Sequence, residues 1–133
     1  MNIITFEDRL CDIIENAKKI TVKIFVIEKD FFKGDKEYLN GTGFFLDQNH
    51  IVTNYHVIQD ANKIKIGLYQ RKQLIDVKII GFDVYYDIAV LKVHDYNISL
   101  LKCNSKNLKE GQIVLSMGMP FGLDFSSSIG MIS

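Results

Sequence analysis

The spacing of apolar residues along the chain changes once, near Ile20. Before that point the apolar residues recur at the interval of one helix face: Phe6, Leu10, Ile13, Ile14 and Ala17. This spacing predicts an amphipathic helix over residues 5–19. Thr5 precedes the apolar series and has a side chain suited to an N-cap, so we expect it to cap this helix.

From Ile20 onward apolar and polar residues alternate, as in half-buried strands. A charged loop is predicted over residues 28–40, and Asp47–His50 has the polar residues of a hairpin turn. The strand at 74–82 should point Ile75, Val77 and Ile79 inward. The predicted strands cover residues 20–26, 43–47, 51–53, 63–69, 74–82, 88–93, 112–117 and 125–133.

The first six of these strands are joined by short connections, which favours an all-β fold with one closed, six-stranded Greek-key barrel. The pattern divides the chain into an amphipathic helix at 1–19, a first β-barrel at 20–103, and a linker with the opening hairpin of a second barrel at 104–133. That hairpin is apolar and open-edged, so it should pack onto the first barrel or a second copy, or be disordered.

Composition excludes several classes of function. The formal net charge is +0 and only two of the sixteen cations are arginines, so no nucleic-acid partner is expected. The three histidines are far apart, so no metal is expected. Gly41-Thr-Gly43 lacks the following helix and lysine of a phosphate loop, so no nucleotide cofactor is expected either. Cys11 and Cys103 are interpreted as free buried thiols. The chain shows no signal peptide and no run of ~20 apolar residues, which predicts no membrane segment and a cytoplasmic protein if the chain is complete.

His56 is the first candidate catalytic residue. It follows the β-branched segment Ile51–Thr53, at a point where the chain must turn. A general base needs such a rigid position at a surface cleft, and imidazole is largely neutral at pH 7. The alternative is a buried structural histidine at a strand end. The preceding Thr53 and the glycine-flanked segment 41–45 favour the catalytic interpretation.

Asp87 is the second candidate. It stands between the segment Gly81–Tyr86 and the apolar strand that begins at Ile88. A carboxylate in that position is partly buried, so it needs a hydrogen-bond donor, and a ring N–H of His56 would supply one. The alternative is an aspartate that caps the turn, a role we assign instead to Asp83. We expect His56 and Asp87 to lie side by side at one end of the barrel.

Four segments in order carry a family resemblance: Gly41–Leu46, Ile51–Val57, Asp87–Lys92 and Leu108–Gly122, followed by Gly130–Ser133. They resemble the HtrA/Deg-type branch of the trypsin-like serine proteases. The resemblance implies a chymotrypsin-fold double β-barrel that hydrolyses peptide bonds through an acyl-enzyme, with His56 as general base and Asp87 orienting it. Proteins of this family are commonly exported or membrane-anchored and often carry a PDZ domain, and this chain shows neither feature.

The family's Gly-Asn-Ser-Gly-Gly segment does not occur among the 133 residues. Ser126, Ser127 and Ser128 lack a glycine-rich turn that could supply backbone N–H donors, so none is a candidate nucleophile. Two interpretations follow. The chain is the N-terminal part of a serine endopeptidase, inactive alone, whose partners are protein or peptide substrates and a C-terminal barrel or another copy. Alternatively, it is a non-catalytic module that pairs its open strand edge with another protein.

Overall fold

The structure is a computed structural model that describes residues 3–94, 96, 98, 100, 105–119 and 124–133. The described residues form two helices and eight strands. They are α1 (Ile3–Ile20), β1 (Thr21–Glu28), β2 (Lys36–Asp47), β3 (His50–Thr53), α2 (Tyr55–Ile58), β4 (Lys63–Gly67), β5 (Ile75–Asp83), β6 (Ile88–Lys92), β7 (Ile113–Gly118) and β8 (Ser126–Met131).

Strands β1 to β6 close into an antiparallel barrel in the order β1-β2-β3-β6-β5-β4. Alternate residues of each strand point inward, where mainly Val and Ile side chains fill the interior. The largest side chains that are fully buried are Ile24, Ile51, Ile58, Ile66, Leu91 and Val22. The predicted six-stranded closed barrel is therefore confirmed, as are the N-terminal helix and the separate hairpin.

The N-terminal helix begins earlier than predicted. The backbone is helical from Ile3, so Thr5 lies within the first turn and the prediction of Thr5 as N-cap is wrong. Lys18 and Lys19 occupy the last turn, where positive charge is favourable next to the free carbonyl groups. Thr21 Oγ1 donates to the carbonyl oxygen of Ala17 at 2.7 Å, which ties the end of α1 to the start of β1.

Two strand predictions are wrong in detail. The charged loop is shorter than residues 28–40, because β2 begins at Lys36 and its first residues pair with the end of β1. Ile79 does not point into the core: its side chain is 41% exposed. The register between β5 and β6 shifts directly after Ile79, so the inward alternation that holds at Val77 is not maintained there.

The hairpin β7–β8 forms its own two-stranded sheet and lies against the rest of the molecule. An open apolar groove separates β7 from α1, lined by Phe6, Leu10, Ile13, Ala17, Ile113, Leu115 and Met117 among others. On the barrel side, Lys23 Nζ lies 3.2 Å from Asp124 Oδ1, and the rings of Tyr69 and Phe125 meet edge to face at 6.1 Å. The hairpin segment therefore contacts the barrel through Asp124 and Phe125 and faces α1 across the groove.

Cys11 is an exposed free thiol on α1, so the expectation that it is buried is wrong. It lies between the apolar positions of the helix, on the solvent side. Cys103 and Pro120–Gly122, the last residues of the segment Leu108–Gly122 that carries the family resemblance, lie outside the described residues. No helix among the described residues is long and apolar enough to cross a membrane.

Gly43 is in close contact with β3 and gives the first testable prediction. A Cβ at this position would lie 2.9 Å from the carbonyl oxygen of Val52 and 3.1 Å from Ile51 Cγ2. Because the first obstacle is backbone in a closed sheet, Gly43→Ala should lower the free energy of unfolding by about 1–3 kcal/mol. Urea denaturation measures this change in the free energy of unfolding.

The matched control is Gly130→Ala in β8, where a Cβ meets nothing within 4 Å. That variant should stay within about 0.5 kcal/mol of the original chain. Equal effects of the two substitutions would contradict the proposed steric cause.

Candidate active site

His56 lies in the first turn of α2, directly beyond the end of β3. Thr53, the last residue of β3, is buried and donates its hydroxyl hydrogen to the carbonyl oxygen of Thr42 at 2.8 Å. Asn40 Nδ2 donates to the carbonyl oxygen of Val57 at 2.6 Å. Both bonds join the β3–α2 connection to β2, so the backbone that carries the imidazole is fixed from two sides.

Asp87 lies in the tight connection between β5 and β6 and has a left-handed backbone conformation, with φ of 56°. Asp and Asn adopt this conformation at lower cost than other residues with a side chain. The turn is braced at its start by Asp83, whose Oδ1 accepts from the Tyr86 N–H at 3.0 Å. At its end, Asn54 Nδ2 donates to the carbonyl oxygen of Asp87 at 3.0 Å.

The two candidate residues make two hydrogen bonds with each other. His56 Nδ1 lies 2.6 Å from Asp87 Oδ2, and the backbone N–H of His56 donates to Asp87 Oδ1 at 2.7 Å. The expected contact is thus present at one end of the barrel, and we refer to this pair as the His56–Asp87 dyad. Because an ionised carboxylate can only accept, Nδ1 is the donor in this bond, and in the neutral imidazole Nε2 therefore has a free lone pair.

The dyad is open to solvent on one side: 66% of the His56 side chain and 39% of the Asp87 side chain are exposed. The pKa of Asp87 lies below its ordinary value, first because the His56 backbone N–H donates to it and then because the His56 side chain does. Asp87 is therefore ionised at neutral pH. An imidazole held in this way can accept a proton at Nε2 while the carboxylate stabilises the resulting cation.

Acid should weaken the fold through Asp87. Because its pKa is lowered on folding, Asp87 contributes stability above its unfolded pKa, about 3.9, and this contribution is lost as the pH falls through the folded value. In urea denaturation at pH 7 down to about pH 2, the stability difference between the original chain and Asp87→Asn should therefore shrink below about pH 4. A difference that stays constant would contradict this.

Asn54 belongs to the site but was not assigned by sequence reasoning. Its side chain connects the segment before His56 to Asp87. In the sequence, Asn54 is visible only as an amide residue between a β-branched strand and a candidate base. This position does not assign it to the site unless the pairing of β3 with β6 is known. His50, the last residue of the predicted hairpin turn, is instead the first residue of β3 and is half-buried, with Nδ1 2.8 Å from Asp47 Oδ1.

Ser126, Ser127 and Ser128 lie in β8, and the described residues show no contact between them and the dyad. Ser128 Oγ is 2.6 Å from Ser116 Oγ across the hairpin. The structure therefore brings together the predicted base and carboxylate and gives no new reason to treat these serines as nucleophiles.

Comparison with known proteins places this geometry in a family. Residues 41–133 match the sequence pattern of the trypsin-like peptidase domain. The chain is 42% identical over 95 residues to a probable periplasmic serine endoprotease DegP-like of Pseudomonas fulva, and 38% identical over 100 residues to the protein of that name from Chlamydia muridarum. These matches cover 70% and 74% of this chain but 20% of each relative.

A solved structure shares the fold. The HtrA-type protease AlgW with decapeptide superposes with a TM-score of 0.81 at 20% sequence identity. The alignment covers 92% of this chain and 45% of that one. At this level of identity the likeness concerns the fold alone, and it extends over nearly the whole chain.

The relatives correct the expected location. They are named periplasmic endoproteases, so the cytoplasmic location expected from the N-terminal sequence is wrong. Export signals are segments separate from the folded domain, so the composition of a peptidase barrel does not indicate the cellular compartment. The motif order, the domain match and the shared architecture agree with one another: this chain belongs to the trypsin-like peptidase family, in its HtrA/Deg-type branch.

Proposed function

We propose that this chain is the N-terminal part of a serine endopeptidase, in which His56 is the general base and Asp87 orients it. The observation that carries the proposal is the pair of hydrogen bonds within the dyad, which fixes the tautomer and the ring orientation together. A base that accepts a hydroxyl proton at Nε2 needs both. The named relatives, which are serine endoproteases, support the same reaction class.

In the proposed reaction, Nε2 of His56 takes the proton of a serine hydroxyl as its oxygen attacks the peptide carbonyl carbon. The protonated imidazole then gives this proton to the leaving amine, and an acyl-enzyme remains. Water, activated by the same nitrogen, hydrolyses the acyl-enzyme. Asp87 stays ionised throughout and stabilises the imidazolium. The serine and the oxyanion hole come from sequence outside these 133 residues.

We assign residues 20–103 to a first barrel and 104–133 to the linker and opening hairpin of a second. The described part of β7–β8 supports this division, because it pairs only within itself. It also supports a second candidate function, in which the chain is a non-catalytic module that docks through this hairpin. Ile113, Ile129 and Met131 are exposed there, and both strands keep an open edge.

The test compares the 133-residue chain with the same chain joined after Ser133 to the remainder of the second barrel of the Pseudomonas fulva relative, beginning directly after the segment that matches this chain. The isolated chain should neither cleave casein nor react with a fluorophosphonate probe, because both need the serine. The joined protein should do both. His56→Ala in the joined protein should lower turnover by several orders of magnitude, since no other side chain of the described residues is hydrogen-bonded to Asp87 as a base.

Two results would contradict the catalytic proposal. The first is turnover by the isolated chain that His56→Ala abolishes, since it would reveal a nucleophile within the chain. The second is a folded, correctly assembled joined protein that fails to react with the probe. Matched circular dichroism spectra of the active and inactive proteins are the control for folding.

A further inference from the structure

Three basic side chains form a row across neighbouring strands of the barrel, at the end away from the dyad. His50 is the direct cross-strand partner of Lys92, and Lys92 is the direct partner of Lys78. The row thus spans β3, β6 and β5. The dyad lies at the opposite ends of β3 and β6, beyond the pair Thr53 and Ala89.

Like charges placed directly opposite each other destabilise a sheet. His50 has a partner in Asp47, at 2.8 Å. Lys78 and Lys92 make no ion pair within the part of the chain that the structure describes. Their mutual repulsion is therefore not compensated by a side chain there, and a bound anion would remove it.

The two lysines border a concave surface. A cavity of about 640 Å³ lies at this end of the barrel, and its lining includes Lys63, Asp76, Lys78 and Lys92. Three lysines against one aspartate leave two positive charges in excess. Asp76 is engaged by Lys63, whose Nζ lies 3.5 Å from Oδ1, so the excess positive charge is on Lys78 and Lys92.

Apolar side chains form the floor of this cavity. Ile64, Val77 and Val93 are buried beneath it, and Ile79 is exposed at its side because of the register shift in β5. The volume falls within the range of small-ligand sites, about 300–1,000 Å³. A small inorganic anion would satisfy the lysines and leave the apolar floor wet. A ligand with a charged head and an apolar tail would satisfy both.

We propose that this cavity binds a phosphate group that carries an apolar chain, with Lys78 and Lys92 on the phosphate and the tail on the Ile64–Val77–Ile79 floor. Two ammonium groups suit phosphate as compact point charges. The same chemistry is found in a phospholipid head group and in a free alkyl phosphate. This site is separate from the peptidase reaction and does not depend on it.

The test uses three soluble probes: inorganic phosphate, hexyl phosphate and hexanol. Their binding to the 133-residue chain is measured by titration calorimetry and by shifts of the backbone amide NMR signals. Hexyl phosphate should bind saturably and at least tenfold more tightly than either of the other two, with shifts at Val77–Ile79 and Lys92–His94. Lys78→Gln and Lys92→Gln should each weaken that binding at least fivefold. Lys33→Gln, in the loop before β2, is the matched control and should leave binding unchanged.

A second arm separates the two sources of phosphate. Cosedimentation with phosphatidylglycerol vesicles, lost in Lys78→Gln, would identify a lipid head group, and saturable hexyl phosphate binding without cosedimentation would identify a free ligand. The proposal is overturned if hexyl phosphate binds no better than hexanol, if sodium chloride at equal ionic strength produces the same shifts, or if Lys33→Gln weakens binding as much as Lys78→Gln.

Discussion

Asp87→Asn is expected to lower kcat of the joined two-barrel peptidase by about 10⁴-fold while the fold is retained. The backbone N–H of His56 can still donate to the amide oxygen of the asparagine, so the turn stays in place. The amide NH₂ group then faces Nδ1 and donates to it. The imidazole proton moves to Nε2, where it blocks acceptance of the serine proton.

Initial rates on a fluorogenic peptide measure the effect, and Asp83→Asn is the matched control. Asp83 braces the same connection through the Tyr86 N–H but makes no contact with His56 among the described residues. Its substitution should change kcat by less than about tenfold, a loss of positioning alone. A loss below tenfold for Asp87→Asn, or an equal loss for both variants, would show that Asp87 does not set the tautomer of His56.

Ile51→Ala should lower the free energy of unfolding by about 2–5 kcal/mol, a large part of the 5–15 kcal/mol of a typical domain. Ile51 is fully buried in β3, where it pairs with Phe45 on one side and Leu91 on the other. Removing three carbons leaves a cavity that a closed barrel cannot collapse, because every strand is held by two neighbours. Guanidinium denaturation measures the loss.

Ile80→Ala is the matched control for Ile51→Ala, because the same side chain is removed from the outer side of β5, where Ile80 is largely exposed. Its effect should stay below about 1 kcal/mol. If both variants lose the same stability, burial in the barrel interior is not the cause. At a temperature where the Ile51→Ala variant is folded, we do not expect a strong loss of His56-dependent activity. The hydrogen bonds of Asn40 and Thr53 hold the backbone around His56 in place.

The barrel could be predicted because its strands are amphipathic. Val22, Ile24 and Val26 alternate in sequence and are all buried in the structure, so the period alone identified the inner face of β1. The first half of β2 could not be predicted in this way. Lys36–Leu39 becomes a strand because it pairs with the end of β1, and its own residues, which begin with Lys36 and Glu37, show no alternation that would indicate this pairing.

The predictions that Ile79 and Cys11 are buried were wrong for a related reason. Ile79 is apolar and in phase with Val77, but the register shift in the pairing of β5 with β6 leaves its side chain exposed at the side of the open cavity. Cys11 was assigned to the interior from residue type, although the apolar side of α1 is defined by Leu10 and Ile13. At the site, motif position predicted His56 and Asp87. The bond from the His56 backbone N–H depends on the left-handed φ of Asp87, which no spacing indicates.

The strand order has a consequence for the order of folding. Strands β1–β2–β3 and β4–β5–β6 are each joined by sequential antiparallel pairings, whereas β3–β6 and β1–β4 connect the two sets across long stretches of chain. Local pairings close smaller loops and form sooner. His56 follows the first set and Asp87 lies in the second, so the dyad assembles only when the two sets dock. A nascent chain therefore has no oriented base until its slowest pairing is complete.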